Sequence, residues 1–378
     1  MDLVYQIKKN KWFFGIYFLI VSCFLKFLKL FVKPDDHLIL FVSYGGRYFN
    51  DSPKCIYDAM LSDDRFKHYK LVWAFVRPEQ YSLKTSVINI NSFSYLITAL
   101  KARCWVTNSA IERGLDFKGK NTFYLYTTHT SFPKTIEKSS IPYLYTIKPK
   151  YDCVCSQSEK ESEVLISSGL DKSCIILSGY PKNDILCNYS ESKRVSLRNK
   201  FGYNKDKIVI LYAPTFRDEH FGSMKSPVDF KKWEKILGDK YVVLFRAHPV
   251  VANETVIDSS TGFVYDVSDY PNNIDLMIVS DILISDYSGI FFEYAVQRKP
   301  MFCYAYDFEE YIKNRELNCN VREVLPGGYM DENELLQTIK EGQFEKYQVL
   351  WENFRKDYVS EYGHATEICL NKIYDEIN

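Results

Sequence analysis

The sequence carries no surplus of charge of either sign: Lys plus Arg and Asp plus Glu are 48 each in 378 residues, a formal net charge of zero. Without a basic field the molecule has no general means of drawing in nucleic acid, and an anionic ligand must be met by a local cluster. Several catalytic signatures are missing too. No Asp-x-Asp occurs, which excludes the usual metal–carboxylate grip of single-domain sugar transferases on a nucleotide diphosphate. Walker A, Gly-x-Gly-x-x-Gly and Gly-x-Ser-x-Gly are likewise missing. None of the ten cysteines has a zinc-site spacing. Cys153 and Cys155 flank Val154 as in a strand, while Cys104 and Cys303 sit in apolar runs where a thiol acts as a small hydrophobe, so a reducing cytoplasm is the simpler expectation. There is no internal repeat and no low-complexity tract, and the residues suggest no metal site.

What is present points to two α/β domains after a distinctive amino terminus. The length suits two domains of ordinary size, and 46% hydrophobic with 25% charged residues is normal globular usage. The expected division is residues 1–34, an amphipathic helix; 35–187, a first Rossmann-like domain; and 188–378, a linker and a second one. From Trp12 to Val32 the chain is apolar apart from Lys26 and Lys29. Lys8, Lys11, Gly15, Ser22, Lys26, Lys29 and Lys33 are spaced to share one helix stripe, the pattern of a helix lying in a membrane surface, with Trp12, Phe13, Phe24, Phe27 and Leu28 in the acyl boundary. A single span and a buried core helix are the alternatives. No small-residue cleavage site follows, so secretion is not expected.

After Pro34, β-branched and aromatic runs alternate with helix-period segments, as in a parallel sheet covered on both faces. Strands are expected at 38–43, 70–76, 104–107, 123–128 and 153–156, then at 208–215, 241–249, 263–268, 282–286 and 301–306. Active sites of such sheets lie beyond the carboxyl ends of the strands, and four polar constellations fall there. Thr128 to Lys134 contains His129, able to take a proton from a hydroxyl near neutral pH or to serve as a hydrogen-bonded loop residue. Pro214 and Thr215 end the 208–215 run, and Arg217 follows in the loop. Arg246 and His248, two apart, share one side of an extended segment and suit a phosphate oxygen; a structural ion pair for Arg246 is the alternative. Ser285, Asp286, Ser288 and Gly289 precede a helix from Ile290, with Ser288 as N-cap; the free N–H groups make either an anion site or a plain cap.

Together these motifs resemble the CDP-glycerol glycerophosphotransferase family, the teichoic acid primases and polymerases of Gram-positive bacteria and their capsule-synthesis relatives. His129 and Lys134 match the family's Trp-His-Gly-Thr-Pro-x-Lys loop, with Thr130, Ser131 and Phe132 replacing Gly, Thr and Pro. Pro181-Lys182-Asn183-Asp184 stands for Pro-Arg-Asn-Asp, and Pro-Thr-Phe-Arg (214–217) and Arg-x-His-Pro (246–249) are intact. Ser285 to Gly289 with Glu293 is similar to Ser/Thr-Asp-Tyr-Ser-Ser and its following acid. Ser43 to Gly46 with Asp51 to Lys54, Lys299-Pro300, Tyr306 to Tyr311 and Pro326-Gly327 add weaker matches.

The resemblance implies a GT-B fold, an acceptor-side first domain, a donor-side second domain, and a peripheral place on the cytoplasmic face of the bacterial membrane. It implies a CDP-polyol donor, with ribitol as admissible as glycerol, and a lipid-linked saccharide or polyol-phosphate acceptor. His129 is then the base, while Lys134, Ser158, Lys182, Pro214, Thr215, Arg217, Arg246, His248, Ser285, Asp286, Ser288, Gly289 and Glu293 handle donor and phosphate. No resident cofactor is expected; whether magnesium travels with the substrate stays open. A nucleotide-sugar glycosyltransferase of the same fold and a noncatalytic membrane scaffold are the rival readings.

Overall fold

The computed structural model describes residues 11–128, 150–203, 206–215, 228–247, 259–314 and 317–378. Of these, residues up to 128, 150–184 and 364–378 form one compact unit and 185–363 the other. His129, Lys134, Arg217, His248 and Lys8 lie outside the described residues.

The first unit holds seven strands: β1 (Asp35–Val42), β2 (Lys70–Phe75), β3 (Ser86–Asn89), β4 (Ala102–Thr107), β5 (Phe123–Tyr126), β6 (Cys153–Ser156) and β7 (Ile175–Leu177). They form one parallel sheet in the order β3-β2-β1-β4-β5-β6-β7. The central strands are buried on both faces, hence their continuous apolar runs. Alternate residues feed two cores: Ile39, Phe41, Trp73 and Val106 on one face, Leu40, Val72, Ala74 and Trp105 on the other. The helix Ala365–Ile377 closes the first face through Cys369, Leu370 and Ile373. The carboxyl-terminal segment therefore belongs to the first unit, whereas the sequence pattern groups it with the second; its apolar spacing marks a helix but not the sheet that it covers.

The other face is closed partly by the amino-terminal helix Lys11–Lys29. Leu25 is fully buried there, with Tyr17, Phe18, Val21 and Leu28 beside it. The expected outward polar stripe turns inward at its middle. Ser22 is buried and its Oγ accepts from Asp116 N–H (3.0 Å), and Lys26 Nζ sits 2.6 Å from the Asp116 carboxylate. Burial, then Lys118, lowers the Lys29 pKa. Lys33 is exposed just past the helix; Lys11 and Trp12 stand in its first turn, with side chains outside the described residues.

The second unit has five parallel strands: β8 (Ile208–Tyr212), β9 (Tyr241–Phe245), β10 (Val264–Asp266), β11 (Ile282–Ser285) and β12 (Met301–Cys303), in the order β10-β9-β8-β11-β12. Helix Glu191–Phe201, capped by left-handed Gly202, leads into it. It is anchored by Arg194 and Arg198, which both pair with Asp281 beside β8.

Candidate functional site

In both sheets the chain reverses its direction of strand addition once, between β1 and β4 in the first and between β8 and β11 in the second. Such a reversal leaves a crevice at the carboxyl ends, the usual ligand position in open α/β sheets. In each unit hydrogen bonds bridge that reversal.

In the first unit, Tyr44 N–H donates to Asn108 Oδ1 (2.8 Å) and Gly45 N–H to Ser109 Oγ (3.0 Å), so the loops after β1 and β4 are stitched across the reversal. Gly46 has φ +82°, and a Cβ there would come 3.1 Å from Ala74 O, which requires glycine. Tyr44 OH donates to Asp51 Oδ2 (2.9 Å), and Lys182 Nζ lies 3.2 Å from the same oxygen. Burial alone would raise the Asp51 carboxyl, but Lys182 and the donors of Ser52, Tyr44 and Asn108 hold it below its ordinary value. Among the described residues, five other than glycine have positive φ, and Tyr44 (46°), Asp51 (64°) and Thr128 (55°) are three of them. Strained backbone of this kind persists where the surroundings enforce it, commonly at functional sites.

Next to this group, Glu161 is buried and accepts from Gln157 N–H (2.8 Å), from Ser156 Oγ and from Tyr180 OH. Burial raises its pKa to about 7 despite these donors. Ser158 is the N-cap of helix Glu159–Ser167, its Oγ accepting from Glu161 N–H. It is buried, as is Lys182. Thus Ser158 serves as a cap and Lys182 as the partner of Asp51. Both lie in the first unit, apart from the motifs after β8 and β11 with which the sequence pattern groups them.

In the second unit, Thr215 N–H donates to both oxygens of Asp286 (2.9 and 3.1 Å), and Ser285 Oγ donates to Ala213 O (2.6 Å). The residues after β8, including Pro214, are thereby fastened to those after β11. Asp286 also accepts from Tyr287 N–H (2.6 Å) and is buried. The following helix is only Ile290–Tyr294, and its N-cap is Gly289 rather than Ser288. Ser288 Oγ accepts from Ile290 N–H instead (3.3 Å). So short a helix contributes little macrodipole, and the local N–H groups are what it offers an anion. Glu293 lies half-buried in its first turn.

Arg246 Nη1 donates to Val267 O (3.2 Å) and Tyr270 O (2.8 Å), pinning the loop after β10, and burial lowers its pKa. Part of its donor set is therefore structural, through carbonyls rather than the ion pair that the sequence leaves open. Among the described residues no cluster of three or more His, Cys, Asp or Glu is placed to hold a metal ion.

The sequence pattern does not single out Asn108, Ser109 or Glu161. Asn108 and Ser109 directly follow the expected strand 104–107, where the strand-end rule would have found them. Glu161 reads as an ordinary helix-start acid, since nothing local marks it as buried.

The family model described as CDP-Glycerol:Poly(glycerophosphate) glycerophosphotransferase matches residues 24–374. A teichoic acid poly(glycerol phosphate) polymerase of Staphylococcus epidermidis is 31% identical over 354 residues, covering 85% of this chain and 48% of that protein. One from Bacillus spizizenii is 30% identical over 302 residues, with 74% and 76% covered. The chain spans 48% and 40% of the polymerases of S. epidermidis and Bacillus subtilis. The wall teichoic acid polymerase TagF, in a structure after a 15 minute soak with CDPG, superposes with a TM-score of 0.83 at 27% identity, over 100% of this chain and 99% of that one. A UDP-GlcNAc 2-epimerase of Neisseria meningitidis shares the fold at a TM-score of 0.51 and 12% identity, with 89% and 99% covered.

Proposed function

Because this chain belongs to the CDP-glycerol:poly(glycerophosphate) glycerophosphotransferase family, we propose that it transfers glycerol-phosphate or ribitol-phosphate from a CDP-polyol to a lipid-linked or polymer acceptor, releasing CMP. The observation that carries this reading is the pair of strand-reversal crevices, each built by hydrogen bonds that cross it: Tyr44 and Gly45 to Asn108 and Ser109, and Thr215 to Asp286. Two such crevices suit a reaction with two substrates.

An acceptor hydroxyl attacks the β-phosphorus, the bond from that phosphorus to the oxygen of CMP breaks, and His129 receives the hydroxyl proton. His129 follows Thr128, whose φ of 55° sets the chain direction leaving the β5 end. Arg217, Arg246, His248 and the N–H groups around Ser288 and Gly289 balance the diphosphate charge, the main task in phosphoryl transfer. The Asp51-held Lys182 serves the anionic substrate on the first unit, and Lys134 serves the same charge.

The enzyme works at the cytoplasmic face of the bacterial membrane as a peripheral protein. Among the described residues no helix is long and apolar enough to cross a membrane. While one face of the amino-terminal helix packs on the first unit, the opposite face leaves Ile16, Leu19, Ile20, Phe24, Phe27 and Phe31 exposed. Apart from the adjacent Leu19 and Ile20, their spacing of three and four residues makes a continuous apolar row, the signature of in-plane docking.

CMP release from CDP-glycerol or CDP-ribitol tests the reaction. A nucleotide-sugar transferase of the same fold would release a nucleoside diphosphate instead.

A further inference from the structure

Beyond the carboxyl end of β12 the second unit contains a cavity of about 580 Å3, lined by the segments 304–310 and 328–332 and by Arg322. None of the residues assigned above to the diphosphate lines it. Its size is that of small-molecule sites, which run from roughly 300 to 1,000 Å3.

The walls are aromatic. Tyr306 and Tyr329 are 44% and 65% exposed, presenting flat apolar faces with hydroxyl tips. The Arg322 guanidinium lies 4.2 Å from the Phe308 ring centroid and 4.3 Å from that of Tyr329, and its Nη1 donates to Glu309 (3.0 Å). This sandwich holds both rings in place. Gly328 makes it possible, because a Cβ there would come 2.3 Å from Arg322 Cα.

The polar lining is acidic: Asp307, Glu309, Glu310, Asp331 and Glu332 face one arginine. Some are occupied, since Glu332 binds Trp233 Nε1 and Lys232, and Asp331 caps the helix Glu332–Glu341. Glu310 is exposed. Such a lining repels a phosphate, and it forms no metal cluster among the described residues. Carboxylate oxygens accept from hydroxyl groups, and aromatic faces cover C–H surfaces. The cavity is also tied to the β11 turn: Tyr287 OH donates to Asp307 Oδ1 (2.9 Å), and the Tyr287 and Tyr311 rings stack at 3.8 Å.

We propose that this cavity binds a neutral polyhydroxylated group, a polyol or a sugar ring, and so receives the uncharged part of a substrate whose phosphates lie beyond it. The substrate identity rests on the function proposed above; the binding chemistry does not.

Saturation-transfer NMR on the full chain, with glycerol, ribitol or N-acetylglucosamine as separate probes, tests it. Transfer to at least one probe is expected, reduced more than fivefold in Tyr329→Ala and Glu310→Gln, both surface changes that leave the circular dichroism spectrum intact. Response to glycerol or ribitol alone assigns the cavity to the donor polyol, and response to N-acetylglucosamine alone to an acceptor sugar. No transfer to any probe, equal transfer in both variants, or displacement of the probe by calcium ions would overturn the proposal. The experiment contains no CDP-polyol, so a negative result beside intact CMP release removes the cavity assignment alone. Binding without CMP release removes the reaction alone.

Discussion

Lys182 Nζ lies 3.2 Å from Asp51 Oδ2, with the two side chains only 10% and 6% exposed. The pair joins the start of helix Asp51–Met60 to the start of helix Pro181–Asn188 within the first unit. Removing one partner strands a buried charge, whereas removing both does not. Asp51→Ala should cost about 3 to 5 kcal/mol of unfolding free energy. Asp51→Asn with Lys182→Met should recover most of that loss. Urea titrations of the single and double variants check this; equal losses in both would show that the charge balance is immaterial.

Glu161 has a folded pKa raised to about 7, first by burial, from its ordinary value of 4.5. A group with a raised folded pKa contributes stability that is fully present below the unfolded pKa and is lost as pH rises through the folded one. Its contribution should therefore fall between about pH 4.5 and 7, on the order of 3 kcal/mol, and level off above. Glu112, also pushed up to about 7 by burial, adds a loss in the same window. Melting curves across pH 4.5 to 8 should show a decline that Glu161→Gln makes shallower; an unchanged slope would contradict the assignment.

Asp286 fastens the end of β8 to the end of β11 through Thr215 N–H. Asp286→Ala should leave the sheet folded and lower CMP release roughly 100-fold, the effect of losing a preorganised electrostatic arrangement. Unchanged turnover, with the fold checked by circular dichroism, would separate this turn from the chemistry.

The amino-terminal helix has two apolar faces with different duties. Leu25 is fully buried, and Leu25→Ala should cost about 2 to 5 kcal/mol of stability. Phe24 and Phe27 are 51% and 60% exposed, so Phe24→Glu and Phe27→Glu should leave stability nearly unchanged. Each should weaken co-sedimentation with anionic phospholipid vesicles about tenfold or more, as expected for a large apolar side chain removed from a lipid contact. Vesicle binding equal to the parent protein would rule out this face as the docking surface.

The central strands were legible because they are buried on both faces and read as unbroken apolar runs, so 70–76, 104–107 and 153–156 coincide with β2, β4 and β6 within a residue or two. The edge strands β3 and β7 were not: Ser-Val-Ile-Asn and Ile-Ile-Leu are too short to show a period and are only partly buried. Strand-end motifs were legible for the same reason as the strands. Individual roles depend on tertiary partners. Ser158 spends its hydroxyl on a cap, Arg246 part of its guanidinium on two carbonyls, and Lys182 is met by an aspartate far away in sequence. The amino-terminal polar stripe has a helix period, yet Ser22 and Lys26 turn to Asp116, a partner that no local pattern reveals.

The transfer reaction is tested most directly by CMP release from the purified chain given CDP-glycerol or CDP-ribitol with a detergent-solubilised lipid-linked saccharide. Acceptor-dependent CMP from one of the two donors, abolished by His129→Ala, is the expected result and names the polyol. No CMP from either donor, while a UDP-sugar is consumed and UDP appears, would contradict polyol-phosphate transfer and place the chain among sugar transferases.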